Sequence, residues 1–278
     1  MKWKDKLFDI VIALAILVLI WMLTGFTTLA SFHIPSSSME PTLLPGDNIL
    51  VNKWTVGGRW ISGKGDSMNI TRLPALGKIK RNDILVFNYL YPKSKDSIGF
   101  CRTKYFVKRC LALPGDTFFI KHAMYGVCGC NEPIGIIEEQ RKLSRLLEDT
   151  VLVERMDLKT RSYPRRDTLL GWDIGNFGPM WIPKKGSRII LNPYNEQLYR
   201  IPIEWELGKK LKDTLVHEYT FKHDYYFMGG DNCIDSQDSR YWGVVPDDFI
   251  VGSVFLIWKS TDSITGNVRW ERVFKNVR

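Results

Sequence analysis

Charge is missing from a long stretch of this chain: between Ile10 and Met39 there is no Asp, Glu, Lys or Arg. A helix packed inside a soluble domain keeps a polar face over such a length, so the stretch speaks against an ordinary core helix. Histidine is scarce, with only His33, His122, His217 and His223 available as an imidazole base. No Gly-x-Ser-x-Gly elbow surrounds any serine, which argues against the α/β-hydrolase form of serine catalysis. Cysteine is sparse and odd in number: Cys101, Cys110, Cys128, Cys130 and Cys233 leave at least one thiol unpaired in a monomer. Cys128-Gly-Cys130 is too isolated for a closed zinc site, which takes four ligands, so buried thiols or one pair in the middle of the chain are the expectation, and no metal. There is no internal repeat, no low-complexity tract and no alternation of strands with helices. Net charge is +9 and the pI about 9.2, but the basic residues are scattered and match no nucleic-acid reader. No nucleic acid is expected; a basic surface beside anionic lipid headgroups fits better, at roughly 1 kcal/mol per nearby Lys or Arg.

What is present begins with the uncharged stretch itself. Ile10 to Ala30 would span about 31 Å as a helix, enough to cross a bilayer core. Lys2, Lys4 and Lys6 precede it and place the N-terminus in the cytoplasm. The small-x-small triplet Thr28-Leu29-Ala30 raises the alternative of a cleaved signal peptide, but the apolar region exceeds the usual signal-peptide length. The reading is a retained anchor over residues 7–30, with 1–6 cytoplasmic.

Beyond the anchor the pattern is β-rich. Asn48–Trp54, Asp83–Tyr91, Lys104–Leu113, Thr117–Lys121, Arg188–Asn192, Tyr225–Met228 and Phe249–Ser260 are short runs of β-branched and aromatic residues. Turn signals bound many of them, among them Pro45-Gly46-Asp47 and Pro114-Gly115-Asp116. From Met124 to Phe221 the texture changes to one helix, Ile136–Met156, among Gly- and Pro-punctuated loops. Residues 122–221 therefore read as an inserted second domain, and 31–121 with 222–278 as one β domain.

Two polar residues stand in settings that packing does not explain. Ser38 lies in Ile34-Pro35-Ser36-Ser37-Ser38-Met39-Glu40-Pro41, a serine between prolines just beyond the anchor. A strand over Tyr105-Phe106-Val107-Lys108-Arg109 puts Phe106, Lys108 and Cys110 on one face and Val107 and Arg109 on the other. Apolar neighbours disfavour the charged form of Lys108. Reaching neutrality from about 10.4 takes roughly 4 kcal/mol, which burial can supply. A lysine snorkelling from a strand edge fits the same pattern. So does a Ser-His-Asp arrangement through His33 or His223, as far as counting goes.

The motifs narrow these alternatives. Ser38-Met39-Glu40-Pro41-Thr42-Leu43, Tyr105–Arg109, Gly230-Asp231-Asn232 and Ser236-Gln237-Asp238-Ser239-Arg240-Tyr241-Trp242-Gly243-Val244-Val245-Pro246 follow one another as in bacterial type I signal peptidases. The chain resembles that family, membrane-anchored serine proteases with a Ser–Lys pair. The resemblance implies a mainly β fold: an antiparallel β-sheet catalytic domain, an inserted second domain and one N-terminal transmembrane helix. It implies Ser38 as nucleophile and Lys108 as general base. It likewise implies an oxyanion hole made by Ser36 with the Ser38 amide, and Ser236 as the residue that orients the lysine. Arg109, Asp231, Asp238 and Arg240 match the family's bracing ion pairs. Cys233-Ile234 stand where many relatives have Arg-Asp, and Ser37 where Gly is frequent, so neither position inherits a role.

The same segments suggest how a substrate binds. An extended peptide would add as a strand between Phe32–Ser38 and the Lys108 strand. Phe32, Ile34, Pro35, Leu43, Phe106 and Val107 fall where the family's shallow apolar pockets select small residues; by themselves they are ordinary core positions. The expected activity is removal of signal peptides from exported preproteins at the bacterial inner membrane. The catalytic part lies on the periplasmic side, lipid is a partner, and no cofactor is involved. Two Ser–Lys alternatives are a self-cleaving repressor, which would carry a DNA-binding domain instead of an anchor, and a specialised pilin processor, which these residues do not distinguish. A catalytically silent, membrane-tethered scaffold would not need Ser36, Ser38, Lys108 and Ser236 together.

Overall fold

The computed structural model describes residues 3, 8–16, 28–63, 69–94, 96–156, 158, 160–164, 169–211 and 217–277. Residues 8–16 are helical (α1) and exposed. The rest of the expected anchor through residue 27, and the N-terminal residues other than Trp3, lie outside the described residues, apart from residues 8–16 just given. Among the described residues no helix is long and apolar enough to cross a membrane. The expected end of the anchor shifts: Leu29 and Ala30 belong to strand β1 (Leu29–His33), paired with Asn52 and Val51.

The main sheet is antiparallel throughout, in the order β1–β2–β14–β5–β6–β12–β13, with β15 (Lys275–Asn276) added beside β14. Its members are β2 (Asp47–Asn52), β5 (Ile84–Asn88), β6 (Tyr105–Ala112), β12 (Tyr225–Gly229), β13 (Val245–Pro246) and β14 (Ile250–Ser260). Side chains alternate across it as a period of two requires. Ile84 and Val86 join Ile34, Met39, Leu43, Ile49 and Val51 on one face; Leu85 and Phe87 join Cys110, Met228 and Phe249 on the other. Register breaks at three points along β14 increase the local twist. The sheet curls far enough that the rings of Phe32 on β1 and Tyr105 on β6 lie 5.0 Å apart. Edge strand β1 thus faces the first half of β6, which beyond Arg109 is taken up by β12.

Between β6 and β12 come a three-stranded sheet, β8–β7–β9 (Met124–Val127, Thr117–Lys121, Phe177–Trp181), and a pair, β10–β11 (Arg188–Ile190, Glu218–Thr220). A further hairpin, β3–β4 (Arg59–Ser62, Asn69–Arg72), precedes β5. Phe118 of β7 stacks on Phe227 of β12 at 4.3 Å, so one apolar cluster runs from β12 into the small sheet.

Every segment expected as a strand contains one, and the long helix expected over Ile136–Met156 is two. Helix α2 (Ile137–Glu148) stops at Asp149, whose backbone is extended and whose carboxylate accepts from the Leu152 amide to cap α3 (Thr150–Arg155). Helix α4 (Pro193–Leu207) corrects the reading of that stretch as loops. Asn192 caps it, Pro193 opens it and Gly208, at φ 65°, closes it. All five cysteines are free, with Cys110 and Cys233 buried, so the pair considered for the middle of the chain is not formed.

A buried ionic knot closes the sheet over the serine loop. The Asp47 carboxylate, with no exposed surface, accepts from the Arg272 guanidinium (2.6 and 3.1 Å), Ser260 Oγ (2.6 Å) and the Leu44 amide (2.8 Å). Arg272 also donates to the Thr42 carbonyl, at 2.9 Å. Gly46 sits beside it at φ +93°, and a Cβ there would lie 1.8 Å from the Thr261 carbonyl oxygen. Burial opposes ionisation of Asp47, but the Arg272, Ser260 and Leu44 hydrogen bonds outweigh it and hold the carboxyl below its ordinary range. A depressed folded pKa gives stability that is present above the unfolded value of 3.8 and is lost as pH falls through the folded one. Asp47→Asn, which strands Arg272, should cost about 3–5 kcal/mol in urea unfolding at pH 7. The gap from wild type should close as the titration is repeated toward pH 3.

Candidate active site

Ser38 and Lys108, 70 residues apart, meet where the turn after β1 approaches β6. Ser38 is carried by the turn after β1, where Ile34, Met39 and Leu43 are buried and pin the loop to one face of the sheet. Lys108 is carried by β6, opposite Leu85 of β5, with only 3 % of its surface exposed. Its Nζ lies 2.5 Å from Ser38 Oγ and 6.0 Å from the centre of the Phe106 ring. Ser36 Oγ is 3.5 Å from Ser38 Oγ and open to solvent.

Burial is the main cause that pushes Lys108 down from 10.5 to about 8. Asp238, Asp231 and Asp235 pull the other way, and Arg240 reinforces the fall. The amine is therefore neutral in about half of the molecules near pH 8. A neutral amine in hydrogen-bond reach of a hydroxyl is a base that can activate a nucleophile.

The surrounding charges are spent on each other. Arg109 Nε and Nη2 both reach the Asp231 carboxylate at 2.7 Å, and Nη1 donates to the Asn82 carbonyl. Thr42 Oγ1 donates to the same carboxylate at 2.5 Å, which ties the serine loop to the pair. Arg240 grips Asp238 through Nε and Nη2 at 2.8 Å each and donates to the Cys233 carbonyl, fully buried. Burial raises Asp238, but the adjacent Arg240 charge more than offsets it, and the carboxylate also accepts the Gly230 amide at 2.9 Å. Satisfied in this way, these groups brace the site and leave Lys108 as its titrating member.

Gly230 packs against both Ser236 and the Ser38 carbonyl. A Cβ there would lie 2.1 Å from Ser236 Oγ and 2.5 Å from the Ser38 carbonyl oxygen. Ser236 Oγ is buried, with no hydrogen-bond partner among the described residues, and makes no bond to Lys108 in this state. Ile34 and Leu43, expected at the substrate surface, are core residues at 3 % and 0 % exposure, while Phe32, Pro35, Phe106 and Val107 keep accessible surface. His33 pairs with Asn48 and His223 with Asp247. Asn232 was overlooked as a contact: its amide donates to the Ser38 carbonyl at 3.2 Å. Its place in Gly230-Asp231-Asn232 was the available signal.

Comparison with known proteins adds to this geometry. A family model described as signal peptidase, peptidase S26, matches residues 7–167 and 183–259. The chain belongs to that family. It is an enzyme of the signal peptidase I type, and the resemblance read from its motifs is borne out. Proteins named signal peptidase I from Buchnera aphidicola subsp. Baizongia pistaciae and Pseudomonas aeruginosa are each 29% identical to it; the matches cover 87% and 82% of this chain and 73% and 64% of those proteins. One from Aquifex aeolicus is 28% identical, over 83% of this chain and 75% of that protein. The chain thus spans about two thirds to three quarters of these relatives' lengths. Within the family, every residue of the serine, lysine and Gly-Asp-Asn segments falls in the matched ranges.

The buried amine makes a stability prediction. A lysine whose folded pKa lies below its unfolded one destabilises the fold below about pH 8, and the penalty disappears as pH rises from there to 10.5. The difference corresponds to roughly 3 kcal/mol. Lys108→Met, which keeps the stem and removes the charge, should therefore melt higher than wild type at pH 7, with the advantage shrinking as pH rises above about 8 and gone near 10.5, as read by thermal denaturation across that range.

Proposed function

We propose that this protein is a membrane-bound serine endopeptidase that removes N-terminal signal peptides from exported preproteins. The observation that carries the proposal is Lys108 Nζ, buried and 2.5 Å from Ser38 Oγ. Neutral Lys108 accepts the Ser38 proton as Oγ attacks the scissile carbonyl. The Ser36 hydroxyl and the Ser38 amide donate to the developing oxyanion. Collapse breaks the peptide bond, and Lys108 returns its proton to the leaving amine. A water then gives a proton to Lys108 and attacks the acyl ester; as the ester C–O bond breaks, Lys108 passes that proton to Ser38 Oγ, restoring both residues and releasing the new carboxylic acid, which ionises in solution. Once acylated, Ser38 no longer offers a hydroxyl to the lysine, and Ser236 is the group assigned to hold it. No cofactor enters the scheme.

The substrate enters extended, between edge strand β1 and the half of β6 before Arg109, adding a strand through main-chain hydrogen bonds. Phe32, Tyr105, Phe106 and Val107 border that gap, which suits small side chains near the cut. The proposed arrangement is a single N-terminal anchor running up to β1, with the N-terminus cytoplasmic. A catalytic β domain of residues 31–121 and 222–278, with 122–221 inserted, then lies on the periplasmic side of a bacterial inner membrane. Anchoring places the site where a preprotein's cleavage point leaves the bilayer, so that proximity replaces diffusion.

Cleavage of a purified preprotein in detergent, followed by mass spectrometry, tests this. Wild type should cut after a small-x-small site. Ser38→Ala should abolish cutting, and Lys108→Ala should slow it by about 10²–10⁴-fold. The kcat/KM of wild type should climb with pH along an acid limb near pH 8, the pKa of the buried lysine. Full activity in Lys108→Ala would overturn the assignment of the base.

A further inference from the structure

The serine loop and the turn after β12 are joined by a side-chain contact at Ser37. Ser37 stands where the family often has glycine, and Asp235 lies in the run that begins with the unusual Cys233-Ile234. Ser37 Oγ donates to Asp235 Oδ2 at 2.7 Å, across 198 residues of sequence. The bond does not stand alone. Asn232 Nδ2 donates to the Ser37 carbonyl at 3.4 Å, the Asn232 amide donates to the Ser38 carbonyl, and the Asp235 amide donates to Asn232 Oδ1. The serine loop and the 230–236 turn are therefore sewn together on both sides of Ser38, and Ser37 supplies the side-chain stitch. Glycine at position 37 could not make it.

Asp235 also lies near enough for its charge to act on Lys108. The charges around Lys108 are the Asp238–Arg240 pair, Asp231 paired with Arg109, and Asp235 on the exposed rim. Asp238 and Asp231 are each gripped by an arginine, whereas Asp235 is held by the Ser37 hydroxyl and exerts a smaller pull on Lys108 than either of them.

We infer that Ser37 and Asp235 form a positioning clamp that fixes the Ser38 loop against the turn bearing Asn232 and Ser236. The inference rests on the reading of Ser38 and Lys108 as nucleophile and base. Neither Ser37 nor Asp235 touches the reacting atoms; both act through the groups that do. Removing the bond loosens the distance between Oγ and Nζ, which affects turnover more than substrate affinity.

Steady-state kinetics of the full-length chain in detergent, with a signal-peptide substrate across pH 6–10, test the clamp. Ser37→Ala and Asp235→Ala should each lower kcat about five-fold on the alkaline plateau, with KM unchanged. The double variant should be no slower than either single one, because both remove the same bond. Ser37→Thr, which restores a hydroxyl, should recover kcat. Asp235→Asn keeps an acceptor oxygen without the charge, so it should hold the plateau while moving the acid limb to lower pH, a displacement that a purely structural role would not produce. Additive losses in the double variant, wild-type kcat in the single ones, or an unmoved limb in Asp235→Asn would overturn the clamp. Ser38→Ala measured alongside separates the two levels. If it stays active, the reading of the site falls and takes the clamp with it; if it is dead while Ser37→Ala matches wild type, the clamp alone falls.

Discussion

An amine that can lose its charge close to neutral pH beside a hydroxyl is the condition on which the proposed chemistry depends. In water a lysine holds its proton firmly and cannot act as a base near neutral pH. Here the β6 backbone places Lys108 in the wall of a curled sheet, where its charged form loses hydration and its pKa is pushed down to about 8. That displacement works against folding. A buried amine is tolerated because clusters of fully buried Ile, Val, Leu and Phe on both faces of the sheet supply stability elsewhere, at roughly 1.5–3 kcal/mol for each such side chain.

Keeping the lysine neutral also demands that nearby carboxylates do not capture its proton. Asp231 and Asp238 lie close enough to influence Lys108, and each is held by an arginine through two parallel hydrogen bonds. Such buried pairs contribute little net stability, since desolvation of both ions offsets most of their attraction. Their value is geometric. Arg109 reaches Thr42 of the serine loop, and Asp238 accepts the amide of Gly230, whose missing side chain leaves room for the Ser38 carbonyl. The Ser38–Lys108 pair is thus set by a chain of fully used polar groups. Farther out, Arg272 continues that chain from Asp47 to the Thr42 carbonyl.

Legibility in the sequence followed the range of the interaction. Strands such as Thr117–Lys121 were readable because a half-buried strand writes its environment into alternate residues. The break at Asp149 was missed because charged and apolar residues continue at helical spacing on both sides, and only the backbone at that residue departs. Helix α4 carried its signals, Asn192-Pro193 before it and Gly208 after it, but they were absorbed into a run of turn residues; its buried Leu198, Tyr199 and Ile203 face the 122–221 segment and the sheet. Ile34 and Leu43 were assigned to the substrate surface because an apolar residue near a nucleophile looks the same from sequence whether it points inward or outward. Burial decided that they are core.

The sequence by itself determined the family, the candidate pair Ser38 and Lys108, and the positions of the principal strands, because motif spacing and alternation are local properties of the chain. Tertiary structure alone decided how far the lysine is shifted, that Ser236 makes no bond to it in this state, and which distant residues serve the serine loop. Asp47 with Arg272, and Ser37 with Asp235, are pairs some two hundred residues apart. Nothing in either partner's neighbourhood announces the other. Such contacts exist only after the sheet has curled and closed the intervening chain, and the desolvation that tunes Lys108 is a property of that closed shape.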